Sequence, residues 1–378
     1  MKERELSILF FINSLSLGGA ERVTANLANF WSKKGWEVIV ISLASDSIDF
    51  YQLDPSIRRI SLNLNTESFN LLLAFKNNIR RILFLRRELL RFKPDIALSI
   101  MTTANILLTL AKIGLNNIVA VGSERTYPSQ QTISWVWRVM RKYLYSRLSA
   151  IVSLTHESAF WLKKYTNSKK IVVIPNSVVF PLPLQKPIIK ISPKFLKQKI
   201  LLSVGRLSEE KQFDILISVF QKLIFDFPDW VLVILGEGNF RYQLEKQIVS
   251  LKMENHVFLP GNTGNIGEWY ESADIYILTS RYEGFPNSLV EAMAYGLPVI
   301  SFDCDTGPRD IIRNGIDGLL VSTMNIDELS KALRQLMDDD ILRNKFAEMA
   351  IEVRERFSLE KVAKMWEELF MNILYEQN

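Results

Sequence analysis

One cysteine, Cys304, and two histidines, His156 and His256, are all that 378 residues provide of the side chains that most often cross-link chains or ligate transition metals. A single thiol excludes an internal disulfide and a thiolate metal cluster, in keeping with a reducing compartment. Two histidines leave little to build a metal centre from, and none is expected. Apolar runs are short: Ile106-Leu-Leu-Thr-Leu-Ala111 stops at Lys112, well below the roughly 18 residues of a membrane span. Residues 1–12 lead into a strand pattern without a small-residue cleavage site, so no signal peptide is read and a cytoplasmic location is expected. No zinc-finger, helix-turn-helix or RNA-binding signature occurs, so no nucleic-acid partner is expected. The glycine-rich stretch Leu17-Gly-Gly-Ala-Glu-Arg22 is not Gly-x-Gly-x-x-Gly, which removes the fingerprint of a dinucleotide cofactor.

What is present is globular, with 48% hydrophobic and 23% charged residues and enough chain for two or three domains. The net charge of +5 conceals an asymmetry: residues 1–190 hold 26 Lys and Arg against 12 Asp and Glu, and the remainder 20 against 29. A basic half suits an anionic surface, and without nucleic-acid motifs the membrane is the expected one. Short apolar runs alternate with amphipathic helix-length segments, the pattern of mainly parallel sheets. Ser7-Ile-Leu-Phe-Phe-Ile, Glu37-Val-Ile-Val-Ile-Ser, Asp95-Ile-Ala-Leu-Ser-Ile, Ile118-Val-Ala-Val and Ala150-Ile-Val-Ser mark a first α/β domain, residues 1–182. The proline-rich Phe180-Pro-Leu-Pro-Leu-Gln-Lys-Pro reads as a linker. Ile200-Leu-Leu-Ser-Val, Trp230-Val-Leu-Val-Ile-Leu, His256-Val-Phe-Leu, Asp274-Ile-Tyr-Ile-Leu and Pro298-Val-Ile-Ser mark a second, residues 190–358. Two doubly wound domains imply a cleft between them, a preferred ligand position.

Ligands of an open α/β sheet bind at the carboxyl ends of its strands, and the charged motifs cluster there. After one strand comes Val204-Gly-Arg-Leu-Ser-Glu-Glu-Lys211, whose Arg206 and Lys211 offer a fork and a point charge for two phosphates. Leu235-Gly-Glu-Gly238 marks another strand end, where Gly236 allows close backbone approach. After a third comes Arg281-Tyr-Glu-Gly-Phe-Pro-Asn-Ser-Leu-Val-Glu291. Ser288-Leu-Val-Glu291 also fits a helix capping box, in which the second glutamate needs no ligand. In the first half, Gly18 and Gly19 open a helix whose positive end can meet an anion, with a plain tight turn as the alternative. His156 and His256 read as structural.

The spacing Glu283-x7-Glu291, with Arg206, Lys211 and the Gly18-Gly19 turn, resembles retaining glycosyltransferase family 4. The resemblance covers nearly the whole chain. It implies a GT-B fold with two Rossmann-like domains, the first binding the acceptor and the second the nucleotide-sugar, an interdomain cleft and a C-terminal helix, residues 359–378, crossing back onto the first domain. Trp366, Leu369, Phe370 and Ile373 give that helix an apolar face. In the family's pattern Glu283 sits by the donor sugar and Glu291 by the nucleotide ribose. Arg206 and Lys211 hold the diphosphate, and Gly18, Gly19, Gly236, Gly284, Phe285, Pro286 and Asn287 complete the donor site. Catalytic roles then fall to Glu283, Arg206 and Lys211, with a UDP-sugar as donor, no cofactor and no metal. Many relatives carry a histidine near the sugar; the matching stretch here is Gly122-Ser-Glu-Arg125, which puts Glu124 and Arg125 there and leaves the acceptor contacts open. Asp303-Cys-Asp-Thr-Gly-Pro-Arg-Asp-Ile-Ile312 is similar to the branch that extends polyprenyl-diphosphate-linked glycans, which implies an undecaprenyl-diphosphate-linked acceptor and N-acetylgalactosamine or galactose as the sugar.

Two segments fit membrane contact. In residues 70–93, Leu72, Phe75, Ile79, Ile82 and Leu89 share one helical face, and Lys76, Arg80, Arg87 and Arg91 align on another. In residues 135–147, Trp135, Trp137, Tyr143 and Tyr145 interleave with Arg138, Arg141, Lys142 and Arg147. Ordinary core helices with solvated faces are the alternative for each. The combined expectation is a glycosyltransferase held peripherally on the inner face of the cell membrane. The competing readings are a GT-B sugar-nucleotide epimerase acting on a soluble substrate and a non-catalytic membrane- or nucleic-acid-binding scaffold.

Overall fold

Burial on both faces dictates the strands. In the computed structural model, which describes residues 5–64, 71–193 and 197–377, the continuous apolar runs become central parallel strands whose side chains are covered by helices on either side. The first sheet comprises β1 (Ser7–Ile12), β2 (Glu37–Ser42), β3 (Arg58–Ser61), β4 (Ile96–Ile100), β5 (Val119–Ser123), β6 (Ala150–Ser153) and β7 (Ile171–Val173), in the order β3-β2-β1-β4-β5-β6-β7. The second comprises β8 (Lys199–Val204), β9 (Trp230–Leu235), β10 (Val257–Gly261), β11 (Ile275–Leu278), β12 (Val299–Asp303) and β13 (Gly318–Ser322), in the order β10-β9-β8-β11-β12-β13. All their pairings are parallel. Each sheet is doubly wound, and the order reverses at β1/β4 in the first and at β8/β11 in the second, where such sheets take ligands.

The chain divides into two units, residues 1–177 with 359–378, and residues 178–358. The proline-rich segment has no regular structure, but it is held to the second unit: Gln185 N donates to Gly264 O at 3.0 Å and Ile189 N to Asn265 Oδ1 at 3.0 Å.

In the first unit the sheet is followed by α1 (Gly19–Lys33), α2 (Leu71–Phe92), α3 (Thr102–Ala111), α4 (Trp135–Leu144) and α5 (His156–Tyr165). The C-terminal helix Leu359–Gln377 returns to this unit and buries Trp366, Leu369, Phe370 and Ile373 beside Trp31 of α1. Burying each such side chain is worth about 2 kcal/mol. Rings of Trp31 and Phe370 lie 5.6 Å apart, and Glu367 accepts from Trp31 Nε1 at 3.0 Å and from Lys34 Nζ at 2.8 Å. Among the described residues no helix is long and apolar enough to cross a membrane.

Candidate active site

In the second unit the site is built at the β8/β11 reversal. The loop after β8 carries Arg206 and Lys211, and the loop after β11 carries Glu283. Because β8 and β11 are hydrogen-bonded neighbours, these loops meet although their residues are 72 apart in sequence: Lys211 Nζ donates to Glu283 Oε1 at 2.5 Å. The pair is largely buried, with side-chain exposures of 19% and 11%. Arg206 is exposed. The two expected phosphate cations therefore differ, since one is already paired with the glutamate expected at the sugar and the other faces solvent. Lys211 has three N–H donors, so it can hold Glu283 and an anion together. The Glu283 loop is braced from β12, as the Thr306 hydroxyl donates to the Glu283 carbonyl. Gly307, at φ 97°, lies so close that a Cβ there would stand 2.7 Å from Pro286 Cδ. Burial beside Glu283 pushes the Cys304 thiol up to about 12, so at neutral pH it stays protonated and is no nucleophile.

Glu291 is 4% exposed on the helix Asn287–Ala294 and accepts from the Tyr270 hydroxyl at 3.2 Å. The capping-box alternative fails. The N-cap is Pro286, which places Glu291 two residues too deep, and the Ser288 hydroxyl is engaged elsewhere, accepting from Tyr276 at 2.8 Å and donating to Val204 O at 3.3 Å. The Phe285 ring is buried edge-on against Phe357 at 5.4 Å. Pro286 is buried as the N-cap, while Gly284 and Asn287 stay partly open. Gly236, at φ 144°, is required by packing, since a Cβ would fall 1.9 Å from Gly205 O and break the seam that holds the β9 loop on the β8 loop. Tyr270 carried no local sequence signal, and the motif that holds Thr306 gave no hint that its hydroxyl braces Glu283. Both contacts arise only from packing, Tyr270 reaching Glu291 from the helix Ile266–Ser272 and Thr306 reaching the Glu283 loop from the segment after β12.

In the first unit Gly18 is the N-cap of α1 and Gly19 its first residue, with ordinary extended backbone at Gly18. The Glu21 carboxylate folds back over Gly18, 2.2 Å from where a Cβ would stand. The positive helix end thus already meets a carboxylate.

Glu124 and Arg125 leave the carboxyl end of β5, and both are buried. Glu124 accepts from Tyr145 OH and from Thr102 Oγ1, and Asn105 donates to Tyr145 OH at 3.2 Å. Burial raises its carboxyl above the usual range, against the lowering effects of these donors and of Arg141. Its proton is therefore held more tightly in the folded chain than in the unfolded one. From about pH 4.5, where the unfolded carboxyl ionises, up to its higher folded pKa, stability is lost. Glu124→Gln removes that loss, so its melting temperature is expected to gain on wild type as pH rises above about 4.5. Parallel melting profiles of the two proteins would show that Glu124 is not shifted. Arg125 donates to Asn176 Oδ1 at 2.7 Å and lies 5.5 Å over Trp366, while its Nε and Nη2 have no partner. Burial lowers its guanidinium to about 9, which leaves it a cation at neutral pH.

The basic helices are partly inverted from the expected arrangement. On α2 the side turned to the sheet carries Leu85, Glu88 and Leu89, whereas Phe75 is 68% exposed and Ile79 and Leu83 also face solvent. Leu72 lies outside the described side chains. Lys76, Arg80, Arg87 and Arg91 are exposed beside this outer apolar stripe, and Arg87 and Arg91 reach back to the buried Glu88 at 3.2 and 3.4 Å. On α4, Trp135, Arg138, Lys142 and Tyr143 are exposed, but Tyr145 and Arg141 are not. Arg141 is an inward residue, its guanidinium stacked 4.6 Å over Trp161 and donating to Gln131 Oε1 at 3.1 Å. Among the described residues no group of three His, Cys, Asp or Glu is placed to hold a metal.

Two doubly wound Rossmann-like units with a returning C-terminal helix define the GT-B class of fold. Residues 185–353 match the model of glycosyl transferases group 1 and residues 17–179 that of glycosyltransferase family 4. An uncharacterized glycosyltransferase of Haemophilus influenzae is 31% identical over 94% of this chain and 97% of its own length. The chain belongs to this glycosyltransferase family. It is also similar, at 29% identity over 94% of this chain and 96% of the relative, to an N-acetylgalactosamine-N,N'-diacetylbacillosaminyl-diphospho-undecaprenol 4-alpha-N-acetylgalactosaminyltransferase of Campylobacter jejuni. Among solved structures, Anabaena Alr3699/HepE in complex with UDP-glucose shares the fold with a TM-score of 0.78 and 19% identity, over 97% of this chain and all of the other.

Proposed function

We propose that this glycosyltransferase moves a hexose or N-acetylhexosamine, with retention of configuration, from a UDP-sugar to a polyprenyl-diphosphate-linked saccharide in surface-polysaccharide assembly. The observation that carries this reading is the meeting of Lys211 and Glu283 across the β8/β11 reversal. It sets a cation for the departing diphosphate directly beside a carboxylate that can accept from sugar hydroxyls. The Campylobacter relative's lipid-linked substrate and the UDP-glucose bound by the Anabaena neighbour support the choice of donor and acceptor.

In this mechanism the acceptor hydroxyl attacks the anomeric carbon on the face from which UDP departs. The anomeric C–O bond to the β-phosphate breaks, the new glycosidic bond forms, and the hydroxyl proton passes to the leaving phosphate oxygen. Arg206 and Lys211 stabilise the charge that builds on the diphosphate, so positioning and electrostatics do the protein's share without a metal. Incubation with a panel of UDP- and GDP-sugars and a lipid-linked acceptor tests this. The expected result is stabilisation by a UDP-sugar, release of UDP and an α-linked product. An epimerised sugar nucleotide with no glycoside formed would overturn it.

The outer faces of α2 and α4, which expose Phe75, Leu83 and Trp135 together with Lys76, Arg80 and Lys142, support peripheral binding to the anionic inner face of the cell membrane. Lys76 and Arg80 test this without unpairing Glu88. At about 1 kcal/mol per cation, replacing both with Gln should weaken binding to phosphatidylserine vesicles about thirtyfold. UDP affinity should hold, because the phosphate cations are in the other unit. Unchanged sedimentation of the folded variant would return α2 to a plain solvated surface.

A further inference from the structure

We propose that the first unit carries a subsite for a sugar bearing a phosphate, formed by two cavities that share Trp161. The inference rests on the reading of this unit as the acceptor's side.

One cavity, of 590 Å³, lies along α5 and is lined by the aromatics Tyr127, Phe160, Trp161 and Tyr165 and by the polar His156, Glu157 and Lys164. It is within the range of about 300–1,000 Å³ that small ligands occupy. Phe160 is 69% exposed and Tyr165 47%, and the Trp161 and Tyr165 rings lie 4.8 Å apart at 37°. Aromatic rings left open on a helix that buries Leu162 on its other side form an apolar platform, and the C–H face of a pyranose matches it. The second feature is polar: Glu157 Oε2 is shielded from solvent and has no hydrogen-bond partner. A buried acceptor without a donor is costly, and a sugar hydroxyl is a donor of the right kind. Glu157 and Lys164 both line this cavity, so its walls carry one charge of each sign.

The phosphate belongs next door. The adjoining cavity, of 540 Å³, is lined by Ser129, Gln131, Thr132, Arg138 and Arg141 with Pro128 and Ile133, and no acidic residue lines it. Arg141 is preorganised there by its stacking on Trp161 and its bond to Gln131. Arg138 is exposed at the opening, and the hydroxyls of Ser129 and Thr132 add donors. Arg141 touches the shared indole on one side and the basic cavity on the other. A glycosyl phosphate or diphosphate can thus lay its ring on the aromatics and its anion on the arginines.

The test uses the full chain saturated with UDP, so that the nucleotide's own site is filled. N-acetylgalactosamine 1-phosphate and free N-acetylgalactosamine are titrated by saturation-transfer NMR and calorimetry. The phosphate form is expected to bind several-fold more tightly than the free sugar. Phe160→Ala should weaken both by at least about fivefold, since an exposed ring contributes contact and not core stability. Arg138→Gln should remove the advantage of the phosphate and leave the free sugar unaffected. Absence of sugar-phosphate binding to the UDP-filled protein, or wild-type affinity in Phe160→Ala, would overturn the subsite. Equal affinity for the two sugars would overturn the phosphate half. UDP affinity recorded on the same samples separates the two readings: intact UDP binding without sugar-phosphate binding removes the subsite alone, and loss of UDP binding in wild type removes the donor-site reading.

Discussion

Lys211→Ala is expected to weaken UDP binding by roughly 10- to 150-fold, the equivalent of about 1.5–3 kcal/mol for a charge-assisted bond, and also to lower the melting temperature. The second effect separates it from Arg206→Ala. Lys211 holds Glu283 at 2.5 Å with both side chains mostly covered, so its removal leaves a carboxylate in a poorly solvated loop, at a cost of about 1–3 kcal/mol. Arg206 is exposed and has no such partner to strand. Its replacement is expected to cost UDP affinity on a similar scale while the melting temperature stays near that of wild type. Calorimetry with UDP and thermal melts of the two variants decide the point. Wild-type UDP affinity in both variants would remove the diphosphate clamp, and an equal loss of stability in both would show that the ion pair is not what holds the Glu283 loop.

Glu291→Gln is expected to reduce nucleotide affinity about tenfold or more while changing the melting temperature little. A glutamine carbonyl can still accept from the Tyr270 hydroxyl that now reaches Glu291 Oε2 at 3.2 Å, and no helix cap is lost because Pro286 occupies that position. What disappears is the negative charge, which makes a stronger acceptor for ribose hydroxyls than an amide. A fall in melting temperature with affinity unchanged would assign Glu291 to the packing of its helix.

The central strands were legible because a strand covered on both faces has to be apolar at every position. β1, β4, β8, β9 and β11 all sit where the hydrophobic runs lie. The strands that went unread, β3, β7 and β13, lie at sheet edges with partly exposed positions, where Arg58-Arg-Ile-Ser, Ile171-Val-Val and Gly318-Leu-Leu-Val-Ser offer at most three apolar residues in a row. The C-terminal helix was legible for a related reason: Trp366, Leu369, Phe370 and Ile373 recur at helical spacing, and such a face has to be covered by something. Periodicity was ambiguous for α2. Leu85 and Leu89 form one apolar stripe and Phe75, Ile79 and Leu83 another, and only the packed sheet selects which is buried.

By itself the sequence determined the layered α/β class, the family, and the residue types at the strand ends, because each is written in local pattern: apolar run length, glycine at a loop, cation and carboxylate spacing. Tertiary structure alone decided which of those residues meet. Lys211 pairs with Glu283 because β8 and β11 are neighbours at the point where the strand order reverses, a relation that spacing along the chain does not encode. In the same way, Arg141 leaves the basic surface because Trp161, 20 residues further on, offers it a ring to stack on. An isolated stretch of sequence specifies charge and periodicity, but burial and pairing are properties of surfaces that exist only after distant segments have packed.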